Sequence, residues 1–402
     1  MRKKQAANPK MVALLNKMEE IIMKKAISLL LVCVLTLGLF AGCGSKQAEE
    51  PAKTPSTTDA TAAVKPLNIA LVVAGSLGDK GFNDSAKAGL DMAKEAYGIT
   101  YQVVELPAGD KTKYEPTLLD LADTKSYDLI IGSGNAMREI LENVSKEYPN
   151  QKFYLFDASV NYENGKFENV YCNTFLQNEA SFLAGIVAAG MTVSGALDDL
   201  NEDNMVGNVL MMDMAVINDF MVGFIEGCQY ANENVKINSA YIGAVDAAKA
   251  KDMAMAMYQQ KADIIFQVAA SAGLGVIEAG KEQKGYVIGV DSDQAMALMQ
   301  TDPDAANRIL TSVLKRSDMA IYRVIGKLLD GTIEWGTSEP LGMEENGVGL
   351  AKNEVYEKLV TEDVQNMVTE AEQKIASGEI VVSTAYGMTT EEITQMRDGV
   401  KP

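Results

Sequence analysis

The sequence predicts an α/β protein of two doubly wound lobes, and three observations carry that prediction. Short, β-rich apolar runs alternate with longer helical stretches, the alternation restarts after about residue 175, and the runs are apolar almost throughout. Continuous apolarity marks strands of a parallel sheet covered by helices on both faces, whereas a half-solvated sheet would alternate. With 402 residues, 47% of them apolar and only 10 prolines, the chain is long enough for two cores of ordinary size.

Taken in order, "LNIALVVAG" (67–75) precedes a helix to about Tyr97, and "ITYQVVEL" (99–106) precedes one near 114–123. "YDLIIGSG" (127–134) precedes a helix to about Tyr148, and "KFYLFDAS" (152–159) ends the first series. The second opens with the helix "NEASFLAGIVAAGM" and the strand "MVGNVLMMD" (205–213). It continues with a helix at 217–231, a strand at 236–243, a helix at 247–260, a strand at 262–269, a helix at 273–282 and the strand "GYVIGVD" (285–291). After Asp291 come a helix, the strand-like "RILTSVLK" (308–315), a helix from about Asp318 to Leu329 and a mixed tail.

The amino terminus reads as an export signal. "MKKAISLLLVCVLTLGLFAGCGS" from Met23 has two lysines, an apolar run too short to span a membrane, and small residues ending at Cys43. Residues 1–22 read as an upstream extension, 23–42 as a lipoprotein signal, and 43–66, rich in Ala, Thr, Ser, Glu, Lys and Pro, as a flexible tether. Loss of the first 42 residues, with seven basic and two acidic side chains, takes the net charge from −19 to −24. Such acidity argues against nucleic acid as a partner, because a duplex binder must bring cations to phosphate. The chain has no histidine, which excludes Ser-His-Asp and Cys-His catalysis and every histidine-containing zinc site. Cys172 and Cys228 read as buried small apolar residues, and the methionine run "DMAMAMY" (252–258) reads as core packing.

Open parallel sheets bind ligands beyond the carboxyl ends of their strands. Several polar or aromatic residues stand there: Asp79, Phe82 and Asn83 in "GSLGDKGFNDSA", then Ser133 and Asn135, Asp157 and Ser159, Asp213, and Asp291 with Asp293. Each has a plain alternative. Asp79, Asn83 or Asp84 could cap the next helix, and Phe82 could be a core residue of its first turn. As a group, one ring with carboxylates, an amide and hydroxyls suits a polar ring compound such as a nucleoside or sugar. The glycines match neither a P-loop nor a full Gly-x-Gly-x-x-Gly pattern, and alternate residues such as Asp291 and Asp293 point apart in a strand, which argues against a paired-carboxylate enzyme.

Across residues 67–330 the chain carries, in order, "GDKGFNDSA", "VSKEYPNQKFYLFD", "QNEASFLAG", "GFIEG", "ADIIFQVAASAGLGVIEA", "GVDSDQ" and "LTSVLKR". Behind a lipobox, this series resembles the basic membrane protein family of substrate-binding lipoproteins, which includes purine nucleoside receptors of ABC importers. The resemblance implies a type I periplasmic-binding-protein fold with the ligand in a cleft between two lobes, no enzymatic activity, no cofactor, and an ABC permease as partner. It implies a lipid at Cys43, which would hold the protein to the outer face of the cell membrane. Lobe 1 would comprise 67–174 plus about 293–330, and lobe 2 would comprise 175–292 plus about 331–402. Carried over by position, Phe82 stacks on the ligand, Asn83 and Asp157 contact it, Asp291 takes ribose hydroxyls, and Lys315 reaches the cleft as a donor. Val245 stands where the family often has an aromatic that closes over the base, and Asn135 where phenylalanine is common. Those departures leave a second reading, a tethered sensor or surface interaction protein on the same scaffold.

Overall fold

The computed structural model describes residues 65–402; Cys43, the signal and all but the end of the tether lie outside the described residues. Among the described residues no helix is long and apolar enough to cross a membrane.

The first lobe runs through β1 (Asn68–Ala74), α1 (Phe82–Tyr97), β2 (Thr100–Leu106), α2 (Tyr114–Asp123), β3 (Leu129–Ser133), α3 (Arg138–Glu147), β4 (Phe153–Phe156) and β5 (Val170–Phe175). β3 and β4 are buried along their whole length and β1 all but its ends, as the continuous apolar runs require. β2 lies at the sheet edge and is mostly solvent-facing. The sequence pattern passes over β5 because no α-helix separates it from β4, only a short 3₁₀ turn at Tyr162–Asn164.

The second lobe begins with α4 (Gln177–Thr192), buried at every residue but Glu179. A helix apolar all round belongs inside, and α4 packs against the second sheet and neighbouring helices. There follow β6 (Met205–Leu210), α5 (Ala215–Ala231), β7 (Lys236–Tyr241), α6 (Ala247–Gln259), β8 (Ile264–Val268), α7 (Gly273–Gln283) and β9 (Tyr286–Asp291). Two short helices, α8 (Gln294–Leu298) and α9 (Pro303–Ala306), lead to β10 (Ile309–Lys315).

The chain then returns to lobe 1 with α10 (Ser317–Asp330), whose Ile321, Val324 and Ile325 pack on Ala86, Leu90 and Ala93 of α1, and with β11 (Thr337–Leu341). It ends on lobe 2 with β12 (Val348–Leu350), α11 (Glu354–Leu359), α12 (Glu362–Ala376) and α13 (Thr390–Gly399).

The two sheets have the same plan. Their strand orders are β11-β5-β4-β3-β1-β2 and β12-β10-β9-β8-β6-β7, parallel except where β12 runs against β10. These orders correct the lobe boundaries drawn from sequence. Residues 293–315 stay in lobe 2, because β10 pairs with β9, so the return to lobe 1 starts at α10 and not near 293. Residues 337–341, assigned by sequence to lobe 2, complete the first sheet beside β5. β11 reads "TSEPL", polar and proline-bearing, which suits an edge strand and hides it from an apolar-run search.

The three crossings lie side by side. The Leu176 N–H donates to the Leu341 carbonyl at 3.0 Å and the Arg316 N–H to the Gly347 carbonyl at 2.8 Å.

Lobe 2 depends on close helix contact between α4 and α5. A Cβ at Gly227 would collide with the Phe182 carbonyl, and one at Gly223 with that of Asn178. Because the obstacle is backbone on a rigid helix, Gly227→Ala is expected to destabilise the protein by on the order of 1–3 kcal/mol. Denaturant unfolding measures this, and an unchanged midpoint would show that α4 and α5 can move apart at no cost.

Candidate ligand cleft

The carboxyl ends of both sheets face one cleft, with a volume of about 510 Å³, lined from both lobes. A cavity of this size suits a small organic ligand, for which about 300–1,000 Å³ is usual.

"GSLGDKGFNDSA" is both a corner and a wall. Asp79 accepts from the N–H groups of Gly81, Asn83 and Asp84 at 3.0, 2.9 and 3.2 Å, so it caps α1 from outside the helix. Asp84 accepts in turn from the Gly78 and Lys80 N–H groups at 2.7 and 3.0 Å. The Asn83 amide donates to the Ser76 carbonyl at 3.1 Å, and Gly75 leaves room for it, since a Cβ there would stand 2.9 Å from that nitrogen. The loop is thus tied down through Asp79, Asn83 and Asp84, and Phe82 is held half-buried at the cleft, tilted on Phe156 with centroids 5.2 Å apart.

Matching stations on the two sheets supply the charges. β4 and β9 occupy the same place in their sheets; Asp157 follows the first and Asp291 ends the second, both left-handed with φ of +61° and +67°. A non-glycine residue there is strained, and such strain gathers at functional sites. Lys315 ends β10, one residue beyond Leu314, which pairs with Asp291. Its side chain is 3% exposed, and its ammonium reaches across the cleft to Asp157 Oδ1 at 2.6 Å. The centroids of Phe82, Phe175 and Phe220 lie 5.4, 5.6 and 5.3 Å from Lys315 Nζ, near enough for cation–π attraction. Burial raises the Asp157 carboxyl above its ordinary range, and Lys315 pulls it back.

Asp291 is treated differently by its surroundings. Burial pushes its carboxyl up to about 7; Lys315 opposes the rise, while the charges of Asp157 and Asp79 add to it. Lys315 is already committed to Asp157, which leaves Asp291 as an acceptor facing the cleft.

The lobes also touch directly, side chain to backbone. The Lys80 carbonyl accepts from Ser292 Oγ at 2.6 Å and from Gln294 Nε2 at 3.3 Å, joining the loop after β1 to the start of α8.

Of the residues singled out in the sequence, Asp79, Phe82, Asn83, Ser133, Asn135, Asp157, Asp291 and Lys315 line this cleft, as does Val245. Ser159, Asp213 and Asp293 do not. The Ser159 hydroxyl donates to the Val160 carbonyl, Asp213 accepts from the Asn218 amide at 2.8 Å, and Asp293 caps α8 and accepts from Asn353. Sequence reasoning missed Met211, Met212 and Met214 after β6 and Phe220 on α5, all of which line the cleft. The signal was available, since they follow the first strand of the second series as Phe82 follows that of the first. Met253, Met255 and Met257 of "DMAMAMY" do pack in the core of lobe 2. Cys172 and Cys228 are free and buried, one in β5 of lobe 1 and the other in α5 of lobe 2.

A family model described as ABC transporter substrate-binding protein PnrA-like matches residues 67–385. The chain belongs to this family. Among its relatives, basic membrane protein D of Borreliella burgdorferi is 32% identical, over 78% of this chain and 87% of that protein. The ABC transporter nucleoside-binding protein BmpA of Lactococcus lactis is 27% identical, over 89% and 99%. A solved solute-binding protein of an Aeropyrum pernix ABC transporter system superposes with a TM-score of 0.72 at 27% identity, over 83% of this chain and 98% of that one. The fold is the type I periplasmic-binding-protein fold, and the chain is the substrate-binding component of an ABC transporter.

The raised carboxyl of Asp291 makes stability depend on pH. A group whose folded value lies near 7 and whose unfolded value lies near 4 binds its proton more tightly when folded, so its cost to stability is absent below about pH 4 and grows as pH rises through 7. Asp291→Asn should therefore stabilise the ligand-free protein more at pH 8 than at pH 4, as read by thermal unfolding. An equal gain at both would show that Asp291 is not held near 7.

Proposed function

We propose that this ABC substrate-binding protein is a receptor for nucleosides, purine nucleosides foremost, anchored by a lipid on Cys43 at the outer face of the membrane and delivering its ligand to a permease. The observation that carries the ligand reading is the pairing, in one cleft, of the Phe82 ring with the uncommitted Asp291 carboxylate. A flat base covers the ring face, while a vicinal diol donates both hydroxyl hydrogens to one carboxylate. Asn83 and Asp157 offer polar contacts beside the ring, and Lys315 closes the polar side. The nucleoside-binding relative from Lactococcus lactis supports the same class of ligand. A cleft of about 510 Å³ lined from both lobes favours this reading over a sensor that works through its outer surface.

Capture works by closure. A ligand that touches Phe82 on one lobe and Asp291 on the other stabilises the arrangement in which both reach it, and by no more than that difference in contact. The closed form is what the permease meets.

Calorimetric titration of the purified protein with inosine, guanosine, adenosine, uridine and ribose tests the reading. Nucleosides are expected to bind, and Asp291→Ala to lose at least about 1.5 kcal/mol, or roughly tenfold in affinity, as two hydroxyls lose a charged acceptor. Unchanged affinity in Asp291→Ala would remove Asp291 from the site, and binding of ribose alone would replace the nucleoside with a sugar.

A further inference from the structure

The two sheets share one strand order, with β1 and β6 at matching places, each between the strand that follows it and the next one, so each lobe has its own switch point. Such crevices are where open α/β sheets hold ligands. On lobe 1 the loop leaving β1 delivers Phe82. On lobe 2 the loop leaving β6 delivers no ring but the thioethers of Met211, Met212 and Met214.

Met212 stands apart from its neighbours. Met211 and Met214 pack against the apolar core of lobe 2, whereas Met212 is 37% exposed and lines the cleft. Its backbone is nevertheless fixed on both sides. The Met211 N–H donates to the Val268 carbonyl and the Met211 carbonyl accepts from Gly243 N–H, both at 2.8 Å. Asp213 accepts from the Asn218 amide at 2.8 Å, and that amide's oxygen accepts from the Tyr241 hydroxyl at 2.6 Å. The Met214 carbonyl receives the Ile217 and Asn218 N–H groups at the start of α5. An anchored loop thus presents a large, partly exposed apolar side chain to the cleft. A thioether is polarizable and makes favourable contact with an aromatic ring.

We propose that Met212 is an apolar binding residue of lobe 2, covering the base of the bound nucleoside from the lobe opposite Phe82. This assignment rests on the nucleoside reading above. It makes the base, and not only the sugar, a bridge between the lobes, and it places the covering contact on Met212 although Val245 lines the same cleft.

Two measurements on the purified protein test it. In calorimetric titration, Met212→Ala should weaken inosine and guanosine binding roughly five- to tenfold, with the unfolding midpoint of the empty protein unchanged. Met212→Leu, which keeps most of the apolar area, should recover most of that loss. Peroxide footprinting gives a readout that needs no variant. Hydrogen peroxide transfers one oxygen atom to the thioether sulfur, giving sulfoxide and water, and Met92, also 37% exposed but on the outer face of α1, is an internal control. Saturating inosine should slow sulfoxide formation at Met212 several-fold and leave Met92 unchanged. If the wild type binds inosine while Met212 is neither protected nor needed, the assignment of Met212 is wrong and the nucleoside reading stands. If the wild type binds no nucleoside at all, both fall together.

Discussion

Lys315 enters the cleft from the second lobe with 3% of its surface exposed, and its ammonium meets a single carboxylate, Asp157, on the first. Burying two opposite charges is expensive, and the cost is offset only when the geometry is good and the partners stay together. The rings of Phe82, Phe175 and Phe220 around the ammonium supply part of that compensation. Phe82 belongs to lobe 1, Phe220 to lobe 2, and Phe175 sits at the end of β5 where the chain crosses between them. The ion pair and its aromatic surround therefore favour the arrangement in which both lobes face one another at the cleft.

The rest of the site follows from using one sheet plan twice. Asp157 and Asp291 follow or end equivalent strands, and both adopt the left-handed conformation that carries a carboxylate back toward the cleft. The lysine is committed to one of them, so the other remains available as an acceptor. This asymmetry, imposed on a symmetric frame by the single residue at the end of β10, separates an ion-paired carboxylate from one left without an ion-pair partner among the described residues. It also explains why Asp291 rises to about 7, since burial and the charges of Asp157 and Asp79 outweigh what Lys315 returns to it.

The strands with continuous apolar runs were legible from sequence, because burial on both faces demands such runs. β5, β11 and β12 were not: β5 follows β4 without an intervening helix, β11 is polar, and β12 has three residues. The lobe boundary was misplaced near residue 293 because strand pairing, not composition, assigns β10 to its sheet. In the cleft, Asp79 was readable as a cap from its place before α1, and a cap is what it is. Asp213 and Asp293 drew attention as polar residues at strand ends but are used up within their own loops. Met212 is hidden for the opposite reason: a methionine after an apolar strand reads as core, and only the fold shows that it is partly exposed at the cleft. Lys315 emerged only through the family resemblance, since no local pattern distinguishes a strand-end lysine in solvent from one drawn into a cleft.

The bridge between Lys315 and Asp157 is tested most directly by a double-mutant cycle. Lys315→Met, Asp157→Asn and the double variant would be compared with the parent in equilibrium unfolding and in nucleoside binding. A true bridge between buried groups predicts that each single change is costly, that the double change costs clearly less than their sum, and that the coupling is at least about 1 kcal/mol. Costs that add to within about 0.5 kcal/mol would mean that the two side chains act independently and that the lobes are held together by other contacts.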